Sequence, residues 1–385
     1  MKLFFVKGVS FMKYSEFSNI NGKVSKLGFG LMRLPKLYEG KEDIDFKEAE
    51  RLVDLAYKNG VNYFDTAYVY HNGESEIFAG KILNKYPRES YNLATKLPGW
   101  AIKNDGKTVD ELFNEQLEKC DVEYFDFYLL HSLNRDIWQT FKSVNAYENL
   151  KEKKAQGKIR HLGFSFHGDM ELFKELLENY EWDFVQLQIN YYDWEADNAK
   201  DFYKLLEDKK IPCIVMEPVR GGSLQKLNDE AVEVFKKLSS SSPASYALRF
   251  VAQLPNVLVT LSGMSTYEQA EDNINTFNEC KPLSEEELKA IEEANVLFRK
   301  NFSIPCTACK YCVTECPKGI DIPSCFSAFN EYNATREIKD LNKTYLLIPK
   351  EKQAHNCIDC KKCMEHCPQE INIPRKLSNI KDLTK

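Results

Sequence analysis

The sequence predicts a (β/α)8 barrel introduced by a β-hairpin and followed by a small, mostly helical domain built around cysteines. Three observations carry that expectation. Eight short apolar strand candidates alternate with amphipathic helical stretches. Polar residues with chemistry to offer stand at the C-terminal ends of successive strands. A cysteine run near the C-terminus occurs twice.

The elements follow in chain order. Segments 14–20 and 23–27 flank Asn21-Gly22, a pair suited to a two-residue type I′ turn, and read as a hairpin. Strands are expected at 27–31, 63–65, 91–95, 125–131, 161–164, 184–189, 213–217 and 257–261. Helical patterns lie between them at 48–59, 74–84, 109–120, 137–156, 169–179 and 199–209. Alternation alone would also suit an open, doubly wound sheet. A length of 385 residues accommodates a barrel of roughly 250 residues plus an appendage. The expected division is an N-terminal extension at 1–13, a barrel over 14–300 and a cluster domain over 301–385.

A net charge of −6 leaves no excess of cations to meet phosphates, which argues against a general nucleic-acid binder. No apolar run approaches the roughly 20 residues of a membrane span. The opening MKLFFVK has a short apolar core, broken by Lys7 and Gly8, with no cleavage pattern after it. The protein is expected in the cytoplasm.

Cys306, Cys309, Cys312 and Cys316-Pro317 are repeated as Cys357, Cys360, Cys363 and Cys367-Pro368 at a constant offset of 51 positions. The motif Ile320-x-Ile322-Pro323 returns as Ile371-x-Ile373-Pro374 at the same offset, so the segment is a duplication. Zinc sites favour paired CxxC units over a triplet followed by Cys-Pro. Each run resembles the bacterial-type ferredoxin motif, in which the fourth cysteine ligates the neighbouring cluster. The resemblance implies two [4Fe–4S] clusters. One would be held by Cys306, Cys309, Cys312 and Cys367, the other by Cys357, Cys360, Cys363 and Cys316. The longer spacer resembles the helical dicluster modules of multi-subunit reductases. Cys120, Cys213, Cys280 and Cys325 fall outside the pattern and read as small packing residues.

In the barrel, Asp65 closes the second strand candidate, with Tyr70 five residues on. Lys96 follows the third candidate and His131 ends the fourth. Delivering a proton to a developing alkoxide needs an acid. A tyrosine, with its ordinary pKa near 10, serves only if its phenolate is stabilised. Lys96 can do this with Asp65 holding it, and His131 can bond the carbonyl oxygen. Singly, each residue reads as an ion pair or a core cap; in this order they match a catalytic tetrad. From about Tyr14 to Cys280 the chain resembles the aldo/keto reductase family, whose Asp-x4-Tyr, Lys and His it carries as Asp65, Tyr70, Lys96 and His131. The resemblance implies a barrel that uses NAD or NADP to interconvert a small carbonyl and an alcohol, without a metal.

The same resemblance implies nicotinamide contacts at Ser165, Gln188 and Met216, where relatives often carry an aromatic in place of Met216. Phe166 replaces a common Asn or Arg. Pro218, Val219, Arg220 and Gly222 match the loop over the pyrophosphate, and Gly263, Ser265, Gln269, Asp272 and Asn273 match the adenosine site of one branch. The basic pair for a 2′-phosphate is absent, with Gly263 and Gln269 in those places, and Arg220 offers a substitute charge. The stretch from Gly28 to Arg33 begins like a dinucleotide fingerprint but lacks the third glycine. The expected function is carbonyl reduction coupled to, or accompanied by, iron–sulfur electron transfer, with a flavoprotein or a ferredoxin as redox partner. The alternatives are an electron-transfer or redox-sensing adaptor, and clusters with a structural task.

Overall fold

In the computed structural model, which describes residues 12–38, 43–196, 198–301 and 303–384, all eight expected barrel strands form. Most of the expected N-terminal extension lies outside the described residues. A hairpin of β1 (Tyr14–Ser15) and β2 (Val24–Ser25) comes first. The barrel strands are β3 (Leu27–Gly30), β4 (Tyr63–Asp65), β5 (Asn92–Leu97), β6 (Phe125–Leu133), β7 (Ile159–Phe166), β8 (Phe184–Gln188), β9 (Cys213–Met216) and β10 (Val257–Gly263). Each is parallel to its neighbours, and β10 pairs with β3 to close the ring. Parallel strands with helical crossovers are buried on both faces, so these segments are nearly continuous apolar runs.

The hairpin differs from its expected form. Tyr14 pairs with Ser25 and Ser15 with Val24, which leaves residues 16–23 as the connection. A type I′ turn needs positive φ at both central residues. Gly22 has φ +79°, and Asn21 is not among the residues with positive φ. Packing is the reason. Ile20 and Val24 are drawn into an apolar cluster with Tyr63, Phe127, Phe184 and Leu258 at the N-terminal ends of the strands, closing that end of the barrel. The expected helix over 137–156 is two helices, Arg135–Ser143 and Ala146–Ala155, because Asn145 adopts a left-handed backbone between them. Gly28 faces the barrel interior. A Cβ there would lie 2.6 Å from Val259 and 2.8 Å from Leu261, so close packing explains this glycine.

The chain packs into two compact units, one running to Pro218 and resuming over Ala244–Leu283, the other made of Val219–Pro243 and the chain from Ser284 onward. The first contains the whole barrel sheet. The second takes the segment after β9 because helix Asp229–Lys236 packs on helix Glu285–Asn301. Packing therefore divides the chain differently from a simple cut near residue 300.

The second unit is mostly helical, and the duplication is visible in its backbone. Helices Ile322–Thr335 and Ile373–Leu383 each carry proline in the first turn. Asp321 and Asn372 cap them by accepting from the amides of Ser324 and Arg375, both at 3.3 Å. Ile320, Ile322, Ile371 and Ile373 are buried in one core with Phe326, Leu341 and Leu377. The Ile-x-Ile-Pro motif thus sets a buried anchor, a cap and a helix start in each copy. Among the described residues, no helix is long and apolar enough to cross a membrane.

Candidate active site and cysteine cavities

The chain bends sharply after β4. His71, Asn72 and Gly73 have φ of 51°, 54° and 91°, and helix Glu74–Leu83 starts immediately after them. Glycine accepts such a backbone readily and the other two pay for it in strain, an arrangement frequent at functional sites. The buried His71 Nε2 accepts from the Leu34 amide at 3.2 Å and fastens this turn to the segment after β3. Tyr70 begins the turn and is nearly buried.

Register brings the tetrad's ion pair together. Asp65 lies beside Ala94 across the β4–β5 ladder, and Lys96 is two residues along on the same face of β5. The Lys96 ammonium donates to Asp65 Oδ1 and to the Thr66 carbonyl, both at 2.7 Å, and is fully buried. It stands 5.0 Å from the centroid of the Tyr70 ring. Burial pushes the Asp65 carboxyl up and the Lys96 ammonium down, each against the attraction of its partner. On the opposite face of β5, Thr95 and Gln116 each donate to Glu76 Oε1 at 2.6 Å, and Gln116 also bonds the Lys96 carbonyl at 3.0 Å. This network fixes the strand that carries the lysine.

His131, on β6, is buried with its ring 6.3 Å from that of Tyr70 and 4.9 Å from that of Trp100. Burial, then Lys96 and His167, hold its pKa well below the ordinary value, so it is neutral at physiological pH. Trp100 was not anticipated. Its signal was its place four residues after Lys96, where chain leaving a barrel strand turns over the site.

The residues expected to meet the dinucleotide divide between the two units. In the barrel unit, Ser165 Oγ accepts from the Ser132 amide at 2.7 Å, leaving its own O–H to donate. Gln188 donates to Asp193 Oδ2 at 2.7 Å. Asn190 donates to the same oxygen at 2.6 Å and to the Glu217 carbonyl at 3.1 Å, so Asn190 and Asp193 brace the ends of β8 and β9. Sequence reading missed that brace. Met216 ends β9, with Pro218 two residues on, and its sulfur accepts from Gln186 at 3.4 Å. Phe166 packs among Phe164, Phe173 and Phe202, which explains its departure from a polar residue.

Ser265 Oγ donates to the Arg33 carbonyl at 2.6 Å, and the Ser265 backbone amide donates to Gln269 Oε1 at 2.8 Å. Asn273 donates to Ser262 Oγ at 2.8 Å, with Asp272 beside it on helix Tyr267–Glu279. The Arg33 side chain lies over Gly263, where a Cβ would come within 3.0 Å of it, and its guanidinium is 3.5 Å from Glu217. A cation is thus present near Gly263, supplied by Arg33, which no pattern in the sequence marks as a cofactor contact.

Two buried polar atoms in this unit fit a nicotinamide riboside. Asp65 Oδ2 has no hydrogen-bond partner among the described residues and can accept from a hydroxyl, and the Ser165 O–H can donate to a carboxamide oxygen. Val219, Arg220 and Gly222 belong to the second unit, where Arg220 is fully buried and donates to the Pro305 carbonyl at 3.4 Å. Its setting differs from that of a charge offered to a phosphate.

In the second unit, one cavity is lined by Cys306, Cys309, Cys312 and Cys367. Another is lined by Cys316, Cys357, Cys360 and Cys363. Each cavity therefore takes three cysteines from one copy and the fourth from the other. The loops share their conformation. Ala308 and Lys310 have positive φ, as do Asp359 and Lys361 at the same offset, which curls each triplet around its cavity. Among the described residues no three His, Cys, Asp or Glu close tightly enough to hold one ion. Four sulfurs spread around one cavity suit the corners of a cubane. Cys120, Cys213 and Cys325 are buried and Cys280 is half-buried.

Comparison with known proteins agrees with both halves. Residues 26–296 match the model of the aldo/keto reductase family, and residues 305–371 match a 4Fe-4S dicluster domain. The chain belongs to the aldo/keto reductase family and carries a 4Fe–4S domain after it. It is similar to a probable aldo-keto reductase of Glycine max, 25% identical over 71% of this chain and 86% of the relative. It is also similar to the NADH-specific methylglyoxal reductase of Escherichia coli, 23% identical over 66% of this chain and 90% of the relative. Among solved structures, the holo form of an aldo-keto reductase from Bacillus halodurans superimposes with a TM-score of 0.59 at 25% identity, covering 74% of this chain and 96% of that one.

Proposed function

We propose that the barrel interconverts a small carbonyl compound and its alcohol with NAD or NADP, and that the C-terminal domain binds two [4Fe–4S] clusters that exchange electrons with a separate protein. The observation that carries the first part is the fully buried Lys96 ammonium, 2.7 Å from Asp65 and 5.0 Å from the Tyr70 ring centroid, with His131 beside them.

When bound, the reduced nicotinamide supplies the hydride. Tyr70 gives its phenolic proton to the carbonyl oxygen as negative charge develops there. Lys96 stabilises the phenolate left behind and is kept in place by Asp65 and the Thr66 carbonyl. Neutral His131 donates to the same carbonyl oxygen and, with Trp100, orients the substrate. Ser165, Gln188 and Met216 are the residues we assign to the nicotinamide end. Pro218, Gly263, Ser265, Gln269, Asp272 and Asn273 are assigned to the rest of the cofactor, with Arg33 as the nearby cation. Two polar loops of the second unit, braced by buried isoleucines, present the eight cysteines to the clusters in the exchanged arrangement that the cavities support.

A nicotinamide yields two electrons together and a cubane takes one, so a flavoprotein or a ferredoxin is the fitting partner. Three measurements test this reading. Anaerobically purified protein should hold about eight iron and eight sulfide and oxidise NADH or NADPH with at least one member of a carbonyl panel. Stopped-flow mixing with NADH or NADPH alone should bleach the cluster band far more slowly than carbonyl turnover. Bleaching as fast as turnover, with no flavin present, would contradict separate roles for the two halves.

A further inference from the structure

The two cysteine loops share one conformation but sit in different surroundings. In the first copy, Thr307 is 3% exposed; its counterpart at the 51-residue offset, Ile358, is 57% exposed. Cys309 is half-buried, whereas Cys360 is exposed. The cover over the first loop is the segment following β9. Gly221, with φ +64°, approaches so closely that a Cβ would fall 2.0 Å from the Thr307 carbonyl oxygen. Only glycine fits there. Its neighbour Arg220 also has positive φ, at 49°, and is 0% exposed, with Nη2 3.4 Å from the carbonyl of Pro305, the residue before Cys306. The position before Cys357 is Asn356, whose amide is spent on the carbonyls of Lys350 and Gln353 at 2.7 and 3.3 Å.

A charge acts most strongly on its neighbours where water is excluded. Four thiolates around a cubane bring negative charge beside the buried guanidinium, and reduction adds one electron to that charge without breaking a bond. Covering a cluster disfavours the added charge by removing water, so the first cluster would be the harder to reduce for that reason alone. A cation in the same low-dielectric surroundings acts in the opposite sense. Lysines near the cavities do not cancel the contrast. Lys318 and Lys361 beside the second are exposed, and Lys310 beside the first is only half-buried. A charge in water acts at an effective dielectric near 80, against about 20 for a partly buried pair, so it counts for roughly a quarter as much.

We propose that Arg220 is the positioning charge that raises the potential of the cluster held by Cys306, Cys309, Cys312 and Cys367, offsetting the cost of its burial and leaving the twin cluster untouched. The assignment rests on the reading that these cysteines bind clusters. It makes the loop after β9 an electrostatic part of the iron–sulfur unit. Each cluster takes one electron, from the 2+ to the 1+ level, from any one-electron donor; Arg220 determines how readily the covered one does so.

The test is an anaerobic potentiometric titration of the full chain, followed by electron paramagnetic resonance. Arg220→Gln should move one midpoint to a more negative potential and leave the other in place. Arg220→Lys, which keeps the charge, should lie close to wild type. Ile358→Lys should raise the other midpoint, by a smaller shift, because its site is exposed. Neither midpoint moving in Arg220→Gln, both moving equally, or lysine behaving like glutamine overturns the assignment. Should the glutamine variant fail to assemble, wild type still decides. Raising the salt should move one midpoint and spare the other, since only exposed charges are strongly screened, and equal movement of both overturns the proposal. Iron and sulfide counts on the wild type separate the two levels of failure. Fewer than two cubanes would overturn the cluster reading and this assignment together, whereas two cubanes with unresponsive midpoints would overturn the assignment alone.

Discussion

In the barrel, the lysine at the centre of the tetrad is held by a carboxylate and a carbonyl at 2.7 Å, and the strand beneath it by a second network through Glu76 and Gln116. In the second unit, eight cysteines line two cavities, where the Ala308 amide donates to Cys306 sulfur at 3.4 Å. Burial, and then the neighbouring thiols, push Cys363 up to about 11 and Cys312 further still. The barrel site has its charges paired by protein before any cofactor arrives. On the proposed reading, bound clusters would deprotonate the cysteines and fix their geometry. If the proposed function holds, this fold preorganises its proton-transfer site by itself and only prepares a scaffold for cluster binding.

Removing the lysine should break the first half of that comparison with the largest effect. Lys96→Met leaves Asp65 buried without its cation and should destabilise the barrel by about 3–5 kcal/mol, read as a lower urea midpoint. Pairing it with Asp65→Asn should recover part of the loss. A single variant as stable as wild type would mean that the pair is not a buried, mutually dependent one.

Cys316→Ser sharpens the second half. Because Cys316 lines the cavity of the other triplet, the variant should lose about half its iron, and the lost signal should be that of the cluster at Cys357, Cys360 and Cys363. Damage confined to the cluster of its own triplet would contradict the exchanged ligation.

A smaller effect belongs to acid. Burial lowers His167 from 6.5 to about 4, so the folded protein takes up that proton later than the unfolded chain does. Stability from this residue is fully present above about pH 6.5 and is lost as pH falls toward 4. His167→Asn should flatten part of the slope of melting temperature against pH in that window, and an unchanged slope would remove His167 from the account.

Much of the fold was legible because barrel strands are short, apolar and buried on both faces; all eight were found, although Phe125–Leu133 and Ile159–Phe166 run longer than their patterns. The residue order Asp65, Tyr70, Lys96, His131 was readable because strand ends place side chains directly. The cysteines were readable because their spacing repeats. What escaped depended on contacts distant in sequence. Asn145 breaks a helical pattern by its backbone alone, Ile20 leaves an expected hairpin strand for the core, and Arg33 reaches Gly263 from the other end of the barrel sequence. The burial of Arg220 against Pro305 is of the same kind, since no local pattern marks an arginine 85 residues away as a neighbour of a cysteine loop.

The central claim, that Tyr70 is the proton donor of a carbonyl reductase, is tested most directly by comparing kcat of wild type and Tyr70→Phe on the best carbonyl substrate, with nicotinamide affinity measured alongside. The account predicts a loss of about 10²–10⁴-fold in kcat with cofactor affinity nearly unchanged. A variant that keeps more than about a third of the wild-type rate, far outside the range for a lost general acid, would contradict it.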